Sequence, residues 1–290
     1  MTPINSSRET VGVGGRFRGD PHPSLRPFVV EYWAIARDLA ELGGLTVTPD
    51  CFGELICCVD DMYAVVEGGK EKLPTCFFVG LLHEPLRIEA TGVVRCMAAR
   101  LRPWSVGRFL ADGSGLPPRG WKNAEGVFGP RLAVVAEMVG RRDWHPLTGI
   151  FDQVLIEEVG RWEPGELGVE MVGSFLGGGQ RSTVMVASER DTSSRQVERR
   201  VRRLTGTSPK QLACLSRFQK ARDAIWANPA VDLAWLAFEA GYSDQPHLTR
   251  EFRRFAGLTP ARFARESSAK KRWLASQDVA FVQEREEPDG

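Results

Sequence analysis

A short pattern of residues occurs twice in the last third of the chain, and this repeat restricts the fold more than any other feature. The first copy spans residues 186–209 and the second residues 236–260. Each copy opens with an apolar residue followed by alanine, and closes with a glycine three positions before a proline. Because corresponding residues lie about fifty positions apart, the repeat predicts one supersecondary unit that occurs twice.

Each copy has the pattern of two helices joined by a tight turn. In its second half, apolar residues recur at positions i, i+4 and i+7, which predicts a helix with one buried face. These residues are Val197, Val201 and Leu204 in the first copy and Leu248, Phe252 and Phe255 in the second. Gly241 allows the positive φ that a turn needs, and Ser193, Ser194, Ser243 and Asp244 are candidate N-caps. The sequence therefore predicts two helix-turn-helix units.

A further helix is predicted between the two units, over residues 209–227. Pro209 suits the first turn of a helix, and the apolar residues that follow keep approximately helical spacing. A helix of about 19 residues would be about 28 Å long. Two recognition helices held about 34 Å apart can enter successive major grooves of DNA, so this helix is the predicted spacer.

The charge distribution separates this region from the rest of the chain. Residues 181–273 contain 19 Lys and Arg against 9 Asp and Glu, whereas residues 1–180 contain 18 against 23. Residues 274–290 contain one Arg and five acidic residues. A compact basic region in an otherwise acidic chain is typical of a polyanion-binding domain joined to a domain with another role.

Both predicted second helices carry polar residues on the face opposite the apolar one. These residues are Arg195, Glu198, Arg199 and Arg202 in the first unit and Gln245, Thr249, Arg250 and Arg253 in the second. Side chains of these types contact base edges and phosphates. We therefore predict that both helices bind DNA, with the solvated face of an ordinary helical bundle as the alternative.

Residues 166–265 resemble the DNA-binding region of the AraC/XylS class of bacterial transcription regulators. Residues 240–260 match the signature of that class over their whole length, whereas the first unit departs from it at Arg190, Asp191 and Val201. The resemblance implies base contacts by Arg195, Glu198 and Arg199, and by Gln245, Pro246, Thr249 and Arg250.

The same resemblance implies phosphate contacts by Lys210 and Arg217. It also implies that the chain is a sequence-specific transcription regulator that binds double-stranded DNA at two successive major grooves. A small-molecule effector and RNA polymerase are further candidate partners, and the cytoplasm is the expected location. Two alternatives stay open: a DNA-directed, methyl-accepting repair enzyme that depends on a thiol, and a protein-interaction module with a basic helical face.

The N-terminal half is predicted to be rich in β-strands. Runs of β-branched and aromatic residues alternate with turn signals, as expected for a barrel or sandwich. The predicted strands are 28–35, 54–59, 62–66, 75–81 and 93–101, followed by helices at 130–141 and 147–160. Four stretches, 22–33, 48–50, 78–88 and 102–104, resemble the sensor-like domain found on a subset of AraC/XylS regulators.

These patterns together predict a multidomain protein of α and β structure. Residues 1–115 are expected to form a β-barrel, cupin-like domain, and residues 116–165 a helical connecting segment. Residues 166–275 are expected to form an all-α domain with two helix-turn-helix units joined by a long helix. The glycines at 177–179 are a predicted hinge, and residues 276–290 an acidic tail.

No catalytic, cofactor or metal site is predicted. The four histidines form no pair at metal-ligand spacing, and no hydrolase triad, phosphate loop or dinucleotide fingerprint is visible. The six cysteines include no C-x-x-C pair, so we expect small buried residues in a reducing compartment, with a thiol sensor or a metal site as the alternative. Glu54 and Arg100 are expected to form an ion pair, with contact to a polar ligand as the alternative. No membrane span or secretion signal is expected.

Overall fold

The computed structural model describes residues 16–40, 43–109, 120–160, 166–176 and 181–276. It confirms a β-rich N-terminal domain followed by an α-helical C-terminal domain. The predicted hinge at 177–179 and the acidic tail beyond residue 276 lie outside the described residues.

The described residues of the N-terminal domain form two antiparallel sheets. The larger has the order β1 (Arg16–Gly19), β2 (Val29–Asp38), β9 (Val93–Leu101), β4 (Gly53–Cys58), β7 (Cys76–Val79) and β10 (Trp121–Asn123). The smaller has the order β3 (Leu45–Val47), β8 (Leu86–Ala90), β5 (Met62–Val66) and β6 (Gly69–Lys72). The five predicted strands correspond to β2, β4, β5, β7 and β9. All the strands that prediction missed, β1, β3, β6, β8 and β10, have only three to five residues and too little alternation to be recognised.

Both faces of the larger sheet are buried, each in a different core. Tyr32, Leu55 and Met97 point to one face, which packs against helices. Ile35, Phe77 and Val94 point to the other face, which packs against the smaller sheet. Because alternate residues of a strand point to opposite faces, strands such as β9 are apolar along nearly their whole length.

The segment expected to connect the two domains instead belongs to the N-terminal domain, so this prediction was wrong. Its described part, residues 120–160, contributes β10 to the larger sheet and three helices, α2 (Glu125–Phe128), α3 (Leu132–Arg141) and α4 (Trp144–Val159). Apolar residues of α3 and α4 such as Val135 and Phe151 are fully buried against that sheet. An amphipathic helix needs an apolar surface to cover, and the outer face of the sheet supplies one.

A disulfide joins Cys57 to Cys76, with a Cα–Cα distance of 4.2 Å. This corrects the expectation that all six cysteines are unpaired buried residues. The other four, Cys51, Cys58, Cys96 and Cys214, are free and buried. The pairing depends on strand register, because Cys57 and Cys76 lie directly opposite each other on β4 and β7.

The described part of the C-terminal domain contains seven helices. They are α5 (Glu166–Gly173), α6 (Thr183–Glu189), α7 (Ser194–Thr205), α8 (Pro209–Ala227), α9 (Leu233–Glu239), α10 (Gln245–Ala256) and α11 (Pro260–Ser276). The spacer helix α8 has the predicted bounds. No helix in the described part of the chain is both long enough and apolar enough to cross a membrane.

At one end of its central strands, the larger sheet makes three contacts with the helical domain. A short helix that follows β9, α1 (Pro103–Phe109), packs along α7. Before β4, the backbone N–H of Cys51 donates to Gln219 Oε1 at 2.9 Å, and the Pro49 carbonyl accepts from Arg222 at 2.9 Å. After β7, Leu81 is buried in the core of the helical domain. At this end of the sheet, the chain next to β9 therefore contacts α7, the chain next to β4 contacts α8, and the chain next to β7 enters the helical core.

Candidate DNA-binding site

The first helix-turn-helix unit consists of α6 and α7. Ser193 caps α7 by accepting from the backbone N–H of Gln196, whose side chain accepts in return from the Ser193 backbone. The turn before it contains Asp191 at φ +47°. Aspartate tolerates this left-handed conformation better than most residues. The unit therefore keeps its turn although Asp191 replaces the usual glycine.

The second unit, α9 and α10, has the same construction. Gly241 occupies the position that corresponds to Asp191, at φ +82°. Asp244 caps α10 by accepting from the backbone N–H of His247 at 2.6 Å. Pro246 lies in the first turn, where its missing N–H costs no helical hydrogen bond.

The predicted apolar faces of the two recognition helices form the core of the helical domain. Val197 and Val201 of α7 and Leu248 and Phe252 of α10 are fully buried. The ring of Phe218, from α8, lies 5.0 Å from that of Phe252. The spacer helix is therefore packed directly against the second recognition helix, and this packing directs the opposite face of that helix outward.

The residues predicted to contact DNA lie on the outward faces. All of them on α7 are exposed, as are Gln245, Pro246, Arg250 and Arg253 on α10, whereas Thr249 is half-buried. On α7, Arg202 pairs with Glu198 at 3.1 Å, and both side chains are at least half exposed. These positions are accessible to a ligand, and contact with DNA stays a prediction.

Lys210 and Arg217, both predicted to contact phosphates, occupy different environments. Lys210 is exposed in the first turn of α8. Arg217 instead points inward and pairs with Glu251 of α10 at 3.1 Å, where the two side chains are 16% and 12% exposed. Burial opposes the charge of Arg217, but Glu251 outweighs burial and raises the pKa of Arg217. We therefore remove Arg217 from the proposed phosphate contacts.

The different environments of these two cations predict different effects of their removal. We expect Arg217→Ala to lower the free energy of unfolding by about 3 kcal/mol, because Glu251 would be left as a nearly buried, unpaired charge. We expect Lys210→Ala to leave stability within about 0.5 kcal/mol of the wild type and to reduce the salt dependence of DNA binding by roughly one unit of slope. Denaturant unfolding and DNA titrations at several salt concentrations measure both quantities.

The double variant Arg217→Ala/Glu251→Ala is the control for this pair. It should be less destabilised than the sum of its single variants, since neither charge is then left alone. A stable Arg217→Ala protein with a reduced salt slope would instead return Arg217 to the phosphate contacts.

The N-terminal domain adds a cation to the basic surface that the sequence did not predict. Arg108 of α1 lies near Arg200 and Arg203, on the flank of α7. Burial, followed by these two neighbouring charges, lowers the pKa of Arg108. No local pattern in the sequence could indicate this cluster, because it exists only where the two domains meet.

The thiols of Cys51 and Cys214 are not activated, and the described cysteines and histidines form no metal site. Burial raises the pKa of Cys51 and raises that of Cys214 to about 11, whereas a reactive thiol needs a lowered pKa. Within the described ranges, no three His, Cys, Asp or Glu side chains are arranged to hold a metal ion. These environments do not favour the thiol-dependent repair enzyme considered as an alternative.

Two capped recognition helices on a shared core, each with an outward polar face, define a protein of the tandem helix-turn-helix class. Residues 186–266 match the family model described as a helix-turn-helix domain, and residues 18–114 match a domain of unknown function, DUF6597. The helical region is therefore a helix-turn-helix domain. No curated protein sequence matches the chain significantly.

Several solved structures resemble the chain at low sequence identity. ToxT from Vibrio cholerae O395 is 9% identical over 86% of this chain and 95% of that chain, with a TM-score of 0.44. A ToxT structure from strain SCE256 with an unsaturated fatty acid bound is 10% identical over 80% and 94%, with a TM-score of 0.45. The DNA-binding domain of the global transcriptional factor AdpA, in complex with a target DNA, is 24% identical over 37% and 98%, with a TM-score of 0.34.

Proposed function

We propose that this protein is a transcription regulator that recognises a specific DNA sequence through α7 and α10. The observation that carries the proposal is the matched pair of outward faces, with arginine at corresponding positions, Arg199 and Arg250, on helices built in the same way. The spacer α8 has 19 residues, which corresponds to about 28 Å. This length supports insertion of the two helices into successive major grooves on one side of the duplex.

Several of the predicted contact residues have a role that their chemistry supports. Arg199 and Arg250 can each donate two hydrogen bonds to the O6 and N7 atoms of a guanine, and Gln245 can pair with an adenine in the same way. Thr249 and Pro246 can contact a thymine methyl group. Lys210 is the proposed phosphate contact, and it would fix the register of the domain on the duplex.

The specificity of one side chain tests this function. We expect Arg250→Ala to cost about 1–3 kcal/mol of binding free energy on the best site and much less on random DNA, so that specificity decreases. Selection of bound fragments from a random DNA pool supplies the site, and titration against specific and scrambled duplexes supplies both affinities.

Arg262→Ala is the matched control for that measurement. It removes the same charge from the same domain, but Arg262 is on α11 and pairs with Glu266 at 2.7 Å. Its specificity should equal that of the wild type. Uniform weakening by Arg250→Ala, with specificity intact, would assign Arg250 to a phosphate, and a wild-type protein that selects no sequence would overturn the proposed function.

We also propose that the N-terminal domain responds to a small-molecule effector. Its larger sheet carries a polar group on the strands β2, β4 and β9, where Trp33 donates to Glu54 at 3.2 Å and Arg100 lies 3.6 Å from the same carboxylate. Burial raises the pKa of Glu54 to about 7, although Arg100 acts in the opposite direction. A carboxyl group poised to change its charge near neutral pH supports recognition of a polar effector.

The remaining partners are proposed on fewer observations. Trp235 and Phe238 of α9 are 57% and 79% exposed, which supports contact with a protein such as RNA polymerase once the domain is on DNA. A regulator of this kind would act in the cytoplasm. Crosslinking from position 238 in the presence of polymerase and promoter DNA tests this contact.

A further inference from the structure

The disulfide Cys57–Cys76 occupies a particular position in the larger sheet. The backbone N–H of Cys58 donates to the carbonyl of Thr75 on β7 at 2.7 Å. Because backbone polar groups alternate in direction along a strand, those of Cys57 point away from β7. Cys57 and Cys76 are therefore a non-hydrogen-bonded cross-strand pair, the kind in which opposite side chains lie closest together.

Cys58 and Cys96 form a second pair of the same kind. They are directly opposite each other on β4 and β9. The backbone of Cys58 points to β7, and the next residue, Val59, donates to the carbonyl of Arg95 on β9 at 3.3 Å. Cys58 and Cys96 are therefore also a non-hydrogen-bonded pair, on the opposite face of the sheet from Cys57 and Cys76. Both thiols are free and no more than 3% exposed.

The surroundings of this second pair confirm that the two thiols are close. A hydrogen bond that the Cys96 thiol makes to the Cys58 sulfur, followed by burial, raises the pKa of Cys96 well above its ordinary value. The Cys58 Sγ also lies 3.3 Å from the carbonyl oxygen of Asp60. Asp60, two residues beyond the end of β4, in turn pairs with Arg95 of β9 at 2.6 Å.

We propose that Cys58 and Cys96 are a redox-responsive site that closes to a second disulfide when the protein meets a small-molecule disulfide. This would join β7, β4 and β9 covalently through both faces of one sheet. This role rests on the proposed function, because disulfides in the reducing compartment where a DNA-binding protein works are mostly redox-sensing or catalytic.

The reaction is two successive thiol–disulfide exchanges. The thiolate of Cys96 or Cys58 attacks one sulfur of the small disulfide, forming a mixed disulfide and releasing one small thiol. The second cysteine then attacks the protein sulfur of that mixed disulfide, forming the Cys58–Cys96 bond and releasing the second small thiol. The two protein protons are transferred to the released thiolates, so the small disulfide is reduced and the protein dithiol oxidised. Because both thiols are buried and the pKa of Cys96 is raised, little thiolate is accessible to the small disulfide. The first exchange is therefore expected to take hours.

The three strands that the two disulfides would join are the ones that contact the DNA-binding domain. At the strand ends away from the cysteines, β9 continues into α1, which packs on α7. β4 follows the residues that form hydrogen bonds with Gln219 and Arg222 on α8. β7 leads to Leu81 in the helical core. We therefore expect the second disulfide to restrain the recognition helices in their docked arrangement and to weaken DNA binding about 5-fold or more.

The experiment incubates the full chain with oxidised glutathione, then denatures it, blocks free thiols with N-ethylmaleimide and maps the peptides by mass spectrometry. Before oxidation, the four free cysteines should be labelled. After oxidation, only Cys51 and Cys214 should be labelled, and the peptides that contain Cys76, Cys57-Cys58 and Cys96 should form one covalent unit. Cys96→Ala and, separately, Cys58→Ala should prevent this, whereas the control Cys214→Ala should not.

Labelling of Cys58 and Cys96 after prolonged oxidation, or their recovery only as glutathione adducts, would overturn the proposed site. DNA titration of the reduced and oxidised forms then tests whether the second disulfide weakens DNA binding. Equal affinities of the two forms would reject the regulatory role. The mapping does not require DNA binding. Failure of the reduced wild type to bind DNA would therefore count against the proposed function and leave the test of the disulfide unaffected.

Discussion

Replacing Phe252 by alanine is expected to lower the free energy of unfolding of the DNA-binding domain by about 3–5 kcal/mol, the cost of removing a fully buried phenylalanine ring. Phe252 is 0% exposed, and its ring lies 5.0 Å from that of Phe218 and 5.4 Å from that of Phe263. The cavity would therefore open between α8, α10 and α11. Urea unfolding followed by circular dichroism, whose signal comes largely from helices, measures this loss.

Phe238→Ala is the matched control, because it removes the same ring from the same domain. Phe238 is 79% exposed, so its loss should change stability by no more than about 0.5 kcal/mol. Equal effects of the two substitutions would contradict the burial of the predicted apolar face of α10, and with it the outward direction of Arg250.

Gly107→Ala is expected to separate α1 from α7. It should make the free energy of packing between the two domains less favourable by about 3 kcal/mol or more. A Cβ atom at Gly107 would overlap the carbonyl oxygen of Arg203 and lie 2.8 Å from that of Leu204. These are backbone atoms of a helix, which cannot rotate away. The alanine itself favours a helical backbone, so the effect should come from the contact and not from α1.

Hydrogen exchange is the suitable measurement for this variant. Protection should fall in α1 and in the last turn of α7, while the sheet interior, including β4, should keep its protection. Gly140→Ala is the matched control, since Gly140 is on the helix α3 and, among the described residues outside its own helical turn, no atom lies within 4 Å of its added Cβ. Unchanged exchange at the contact in Gly107→Ala would show that the domains do not pack together in solution.

The predictions from sequence succeeded where a feature depends on residues close together in the chain. The caps at Ser193 and Asp244, the turn at Gly241 and the apolar positions of α7 and α10 all involve neighbours within about two helical turns. Their spacing therefore survives in any tertiary context. The short strands β3 and β10 were missed for the opposite reason, because three residues carry no readable periodicity and become strands only when a longer strand pairs with them.

The direction of a long polar side chain was the part of the site that the sequence could not decide. Arg217 and Lys210 are both cations on α8, and nothing in their neighbours distinguishes them. Arg217 points inward because Glu251, 34 positions later, is brought beside it by the packing of α10 on α8. A buried cation is stable only with such a partner, and the partner is known only once the helices are placed.

The sequence by itself determined that the last third of the chain forms two helix-turn-helix units on a spacer helix, since helix periodicity, capping and turns are local properties written in consecutive residues. Only the tertiary structure decided that residues 120–160 complete the N-terminal domain, that Gly107 contacts α7, and that four cysteines meet in two pairs across β7, β4 and β9. Each of these depends on strand register or on contact between distant segments. Such contacts are set by which apolar surfaces cover one another, and a single sequence does not state this.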